Sequence, residues 1–113
     1  MADPSQPWKP ADATRIINRI VRDLSCKFSI TKHARERLDE RNLIMSDLLY
    51  VLKNGYVYTH PTEEDQSTIR GFYKYSVEGQ SPNSDSRTLR VVAVPDSKSC
   101  QIKVITIMWR DDE

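Results

Sequence analysis

The spacing of apolar residues changes once along this chain of 113 residues, and the change falls at Asn54-Gly55. Before that point apolar side chains recur every three to four positions, the period of a helix; after it they alternate, the period of a strand. Ile16, Ile17, Ile20, Val21 and Leu24, interleaved with Arg15, Arg19 and Arg22, predict an amphipathic helix over 13–25 with Asp12 as its N-cap. Ala34 and Leu38 thread a narrow apolar stripe through KHARERLDER and predict a second helix capped by Thr31. Leu48, Leu49, Val51 and Leu52 predict a third, capped by Ser46 and ended at Asn54-Gly55, where glycine accepts a left-handed backbone. The alternating stretches are YVYTH (56–60), TIRGFYKYSV (68–77), TLRVVAV (88–94) and KVITIMW (103–109), the last three separated by the turn-rich GQSPNSDSR and PDSKSC. Helices that precede strands, rather than alternate with them, predict an α+β class: N-terminal helices packed on a four-stranded, mostly antiparallel sheet.

The chain is the size of one domain. Ile, Leu, Val and Phe make up 26 of its residues, above the ~20% below which charged chains stay disordered. One small core is expected, over residues 12–110. Pro4, Pro7 and Pro10 mark residues 1–11 as a mobile tail, and 111–113 read as an acidic tail. Seventeen Lys and Arg against sixteen Asp and Glu exclude the strongly basic profile of a non-specific nucleic-acid coat. The excess of bases lies in residues 1–60, with ten bases to seven acids. No apolar run approaches the ~18 residues of a membrane span, and the N-terminus lacks the pattern of a secretory signal. A cytoplasmic protein without membrane contact is expected. Cys26 and Cys100 stand 74 positions apart, with no CxxC and no histidine at ligand spacing. They are expected as reduced thiols, and no metal or other cofactor is expected.

Two sets of residues can carry chemistry. His33, Arg37 and Arg41 fall at i, i+4 and i+8, on one side of the second helix. His33 sits in the first turn, where the helix dipole disfavours added positive charge, so a neutral imidazole is available as a general base. Two guanidiniums on the same stripe suit a phosphate. The competing reading has His33 as an ordinary helix residue beside Ala34 and pairs the arginines with Glu36, Asp39 and Glu40. The second set is Arg70, Phe72 and Lys74, a cation–aromatic–cation row along one face of the 68–77 strand, which suits a phosphodiester and a stacked base. An ordinary solvated sheet face is the alternative. Arg90 joins the row if the register allows. His60 reads as a turn residue, Trp109 as either core or stacking surface, and Thr106 as a hydroxyl that needs a partner inside an apolar run. Gly-rich phosphate loops, GxSxG and HExxH are missing from the sequence.

ITKHARERLDERNLIMSDLLYVLKNG, followed by the Arg/Tyr/Lys-bearing strand, RTLRVVAV and VITIMW, resembles the bacterial family called domain of unknown function 4258, over roughly residues 28–109. That family looks related to small ribonuclease toxins with a RelE-like or barnase-like fold. The resemblance implies a metal-independent endoribonuclease of toxin type. It would use the RNA 2′-hydroxyl as nucleophile and have RNA and an antitoxin protein as candidate partners. It implies His33 as base or acid and Arg37 and Lys74 as catalytic cations. Arg41, Arg70, Phe72, Arg90 and Trp109 would be nucleic-acid contacts, while Tyr73 and Tyr75 fall on the core side by strand alternation. Residues 1–27 lie outside the resemblance and have three open roles: antitoxin contact, cover over the site, or assembly. A non-catalytic RNA- or protein-binding module on the same scaffold is the alternative.

Overall fold

The computed structural model describes residues 3–85 and 87–112. The elements run α1 (Pro10–Arg22), β1 (Lys27–Ile30), α2 (Lys32–Glu40), α3 (Met45–Asn54), β2 (Tyr56–Val57), β3 (Tyr75–Gly79), β4 (Leu89–Asp96) and β5 (Gln101–Trp109). The α+β class holds, but the sheet has five strands, ordered β1-β5-β4-β3-β2, and it is mixed rather than a four-stranded meander. β2 to β5 pair antiparallel, whereas β1 lies parallel to β5.

Each departure from expectation has a local cause. α1 starts at Pro10 and ends at Arg22, with Lys9 rather than Asp12 at the cap. Proline is well placed there because its fixed φ is helical and its missing N–H would have no partner in the first turn. Thr31 caps α2 as expected, its Oγ1 accepting from Ala34 N at 3.1 Å. For α3 the capping side chain is not Ser46. Buried Asp47 bends back to accept from Ile44 N at 2.9 Å. Gly55 has φ −81°, so it is not needed for left-handed backbone. A Cβ there would lie 2.6 Å from the carbonyl oxygens of both Val51 and Glu78. Glycine therefore lets the end of α3 touch β3.

The expected strand over 68–77 is mostly loop. Gly71 takes φ +93°, Ser67 N bonds to Phe72 O at 2.8 Å, and an isolated bridge joins Gln66 to Tyr73. Residues 67–72 thus form a closed loop, and the ladder begins only at Tyr75. Arg70 and Phe72 are loop residues, not members of a strand row.

The 3–9 segment, expected as part of a tail, is packed down. Trp8 is 2% exposed and its ring stacks on Tyr75 with centroids 5.3 Å apart. Trp8 N donates to the Tyr75 hydroxyl at 2.9 Å. Gln6 donates to Pro95 O and accepts from Tyr73 N at 2.9 and 2.8 Å. Asp3 receives two bonds from the Arg19 guanidinium, at 2.7 and 3.1 Å, which holds its carboxyl below the ordinary range. Burial, opposed by the bond from Trp8, pushes the Tyr75 phenol up to about 12. At the other end, Arg110–Asp112 form a short 3-10 turn.

The cysteines are joined as a disulfide, against the expectation of reduced thiols. The reason is the parallel pairing missed in the sequence. With Lys27 opposite Gln101 and Lys27 N bonded to Cys100 O at 2.8 Å, the register places Cys26 beside Cys100, their Cα atoms 4.7 Å apart. That separation is within disulfide reach.

The core lies between the sheet and the helices α1 and α3. Ile16, Ile17 and Ile20 of α1 and Leu48, Val51 and Leu52 of α3 meet Val77, Leu89, Val91, Ala93, Val104 and Ile107, all buried. Alternate residues of β4 (Arg90, Val92 and Val94) are only half-buried and face the other way. Among the described residues, no helix is long and apolar enough to cross a membrane.

Candidate functional site on the open sheet face

The register of β3, β4 and β5 sets the outward face of the sheet residue by residue. Ser76 lies opposite Val92, and Val92 opposite Thr106. One step along, Val94 lies opposite Lys103, and Lys103 opposite Ser29 of β1. Glu78, Arg90 and Met108 form the row on the other side. Neighbouring strands are ~4.8 Å apart and same-face residues along a strand ~6.8 Å, so the three rows make a patch of roughly 10 by 14 Å. A register shift between Val92 and Ala93 places Ile105 as an extra residue, and this shift lets both Lys103 and Thr106 share the outward face.

His33 joins the middle row from α2. That helix begins where β1 stops, with Thr31 N bonded to Val104 O and Thr31 Oγ1 to Ile105 O. Ala34 and Leu38 turn into the core, which leaves His33 exposed on the open side. Its Nε2 shares a 3.1 Å hydrogen bond with Thr106 Oγ1. The hydroxyl in the apolar run VITIM thus has its partner, and that partner is the imidazole. Nδ1 is left to face solvent or a ligand.

The other predicted residues separate into distinct groups. Arg37 is tied to Glu40 at 2.8 Å, and Arg41 approaches the same carboxylate at 3.7 Å. Both arginines of the α2 stripe are therefore turned to Glu40, one of the three acids the competing reading named. Arg90 pairs with Glu78 at 3.3 Å, as does Arg110. Trp109 faces the core side, with the Arg87 guanidinium 4.3 Å above its ring, and shares a depression with Arg41 beyond the end of β5. Arg70 is exposed at the tip of the 67–72 loop. His60 lies in the irregular segment after β2, its Nδ1 against Pro61 O at 2.9 Å.

Lys74 and Phe72 do come together, in a groove of about 520 Å³ between the 66–74 loop and the open face. Val94, Ile105 and Lys103 form its floor. No described carboxylate is within ion-pair reach of Lys74 or Lys103. Lys103 was not among the sequence candidates. Alternation in KVITIMW would have found it, because its neighbours Ile102 and Val104 are the inward pair. Among the described residues, the trio of metal-ligand types whose donor atoms converge is Asp23, Cys26 and Cys100, and its two sulfurs are bonded to each other.

The arrangement joins an exposed imidazole, fixed by a hydroxyl, to two unneutralised ammonium groups about one residue pair away on the same face. Such a face can take a proton and hold an anion. A family model described as domain of unknown function 4258 matches residues 30–109. Neither a curated protein nor a solved structure matches the chain.

Proposed function

We propose a function for this chain, which belongs to the domain of unknown function 4258 family: it binds single-stranded RNA on the open sheet face and cleaves it through the 2′-hydroxyl. The observation that carries the reading is the exposed His33 imidazole, held by Thr106 one row from Lys103. In the proposed reaction His33 Nδ1 takes the proton of the 2′-hydroxyl, while Nε2 keeps its bond to Thr106 Oγ1. The 2′-oxygen bonds to the adjacent phosphorus, and the bond to the 5′-oxygen breaks. The products are a 2′,3′-cyclic phosphate and a 5′-hydroxyl end, the leaving oxygen receiving its proton from water. Lys103 and Lys74 stabilise the charge that develops on the phosphoryl oxygens. Thr106 is a positioning residue that fixes the ring. Side chains fill the roles of base and charge stabiliser and water supplies the proton to the leaving oxygen, so the reaction is expected to run in EDTA.

The test is cleavage of a mixed-sequence RNA, free and on ribosomes, by the purified chain in EDTA. Loss of a general base lowers rates by roughly 10²–10⁴, so His33→Ala is expected to cut at about a thousandth of the wild-type rate. His33 is exposed, and unchanged thermal unfolding of the variant would separate chemistry from folding. Equal cleavage by both proteins would remove His33 from the mechanism. A non-catalytic RNA-binding module is the second reading, favoured by the Arg37–Glu40 pair, which withdraws a predicted catalytic cation. Binding with no cleavage in either setting would establish it.

A further inference from the structure

We infer that the groove under the 66–74 loop is a nucleobase pocket, taking one unstacked base of a single-stranded RNA while the adjoining phosphate rests on Lys74 and Lys103. The inference rests on the proposed RNA-binding reading for the identity of the polymer, but not on cleavage.

Three properties of the groove select this occupant. The first is size: about 520 Å³ is within the ~300–1,000 Å³ of sites that enclose small ligands. The second is charge. Lys27, Lys74 and Lys103 line the groove against a single acid, Asp96. The Asp96 oxygens are already turned to Ser99 N and the Gln101 amide, at 3.1 and 3.5 Å. An anionic occupant is therefore favoured. The third is the mixture of surfaces. Phe72, Val94 and Ile105 offer flat and apolar area, while Ser29, Gln66 and Thr68 bring polar side chains to the rim.

An acyl chain ending in a carboxylate would match the lysines but leave those polar groups without partners, which is costly once water is displaced. An acidic peptide would match the lysines and the polar rim but has no flat apolar face for Phe72. A base has both, stacking on the aromatic ring and hydrogen-bonding at its edge. The register adds a distance argument. The Val94–Lys103 pair is the next outward pair after the Val92–Thr106 pair that carries His33, a step of ~6.8 Å along β4 and of three residues along β5, where Ile105 is the extra one. That spacing suits a base beside the phosphodiester at the imidazole.

The experiment titrates the full wild-type chain by calorimetry with three probes. They are a 2′-O-methyl tetranucleotide that cannot be cut, the same backbone without bases, and tetraglutamate. Stacking on one aromatic side chain is expected to make the base-bearing probe bind about tenfold tighter than the abasic one. Phe72→Ala should erase that ratio, and Phe72→Tyr should restore it, which separates stacking from a reshaped loop. Lys103→Ala should weaken both oligonucleotides together and flatten the salt dependence by about 0.7 in log–log slope. Equal affinity for the abasic probe or for tetraglutamate would overturn the inference. So would a ratio that survives Phe72→Ala, or binding of none of the three. Cleavage of unmodified RNA, measured in parallel, keeps the two proposals apart. Base-dependent binding without cleavage would remove the ribonuclease and keep the pocket; cleavage without base-dependent binding would do the reverse.

Discussion

The two faces of the central strands are built from neighbouring residues and put to opposite uses. On β4, Leu89, Val91 and Ala93 are buried against α1 and α3, while Arg90, Val92 and Val94 alternate with them on the open side. On β5, Ile107 is buried and Thr106, the residue before it, holds His33. Adjacent positions therefore answer to different constraints: one to close packing, the other to what can be placed in contact with solvent and a ligand. Stability and the candidate chemistry are separated by a single peptide bond. Either face can be altered without the other.

The sharpest break in that comparison is expected from Ile107→Ala. Truncating a fully buried isoleucine should cost about 3–4 kcal/mol in urea unfolding, with the open face still assembled in whatever fraction remains folded. The next is an alkaline limit set on the core side. Below pH 10 the Tyr75 phenol is protonated in both states and its contribution is complete. As pH rises toward its folded value of about 12, the unfolded chain ionises first, so stability falls. The loss amounts to about 2–3 kcal/mol across that interval. Tyr75→Phe, compared with wild type in urea titrations from pH 9 to 12, should flatten that part of the slope. An unchanged slope would mean that the phenol is not buried as described. The smallest structural effect is expected on the open side. Thr106→Ala should move stability by less than ~1 kcal/mol yet slow RNA cleavage about tenfold, the equivalent of one lost hydrogen bond to the imidazole. A cleavage rate unaffected by Thr106→Ala would take away its positioning role.

The sequence shows the α+β order, the Thr31 cap and the alternation of β4, because each rests on local period or local hydrogen bonding. It hides β1. KFSI is four residues long, too short for a periodic signal, and its partner is a parallel strand more than seventy residues onward. The disulfide is hidden for the same reason, since only that register brings Cys26 to Cys100. TIRGFYKYSV reads as one strand because its alternation is real, but Gly71 turns the backbone where pairing would have continued. The candidate site was half legible. His33 stands out by type and Lys74 by spacing, whereas the Thr106 contact and the place of Lys103 in the groove follow from register alone. Proline content suggested a loose N-terminal segment, yet Trp8 and Gln6 find fixed partners in Tyr75 and Pro95. A tail can be sequence-poor in apolar residues and still be anchored by one aromatic ring.

The parallel pairing of β1 with β5 also bears on the order of synthesis. A ribosome releases the chain N-terminus first, and domains fold as their parts emerge. β1 has its ladder partner only after residues 101–104 are made, and His33 reaches Thr106 across 73 positions. Contacts of such long range form late because loop closure must precede them. The imidazole and its hydroxyl thus meet only when the last strand has left the exit tunnel. A nascent chain would therefore carry α1 to β4, with β1 still unpaired, before the contact between His33 and Thr106 exists.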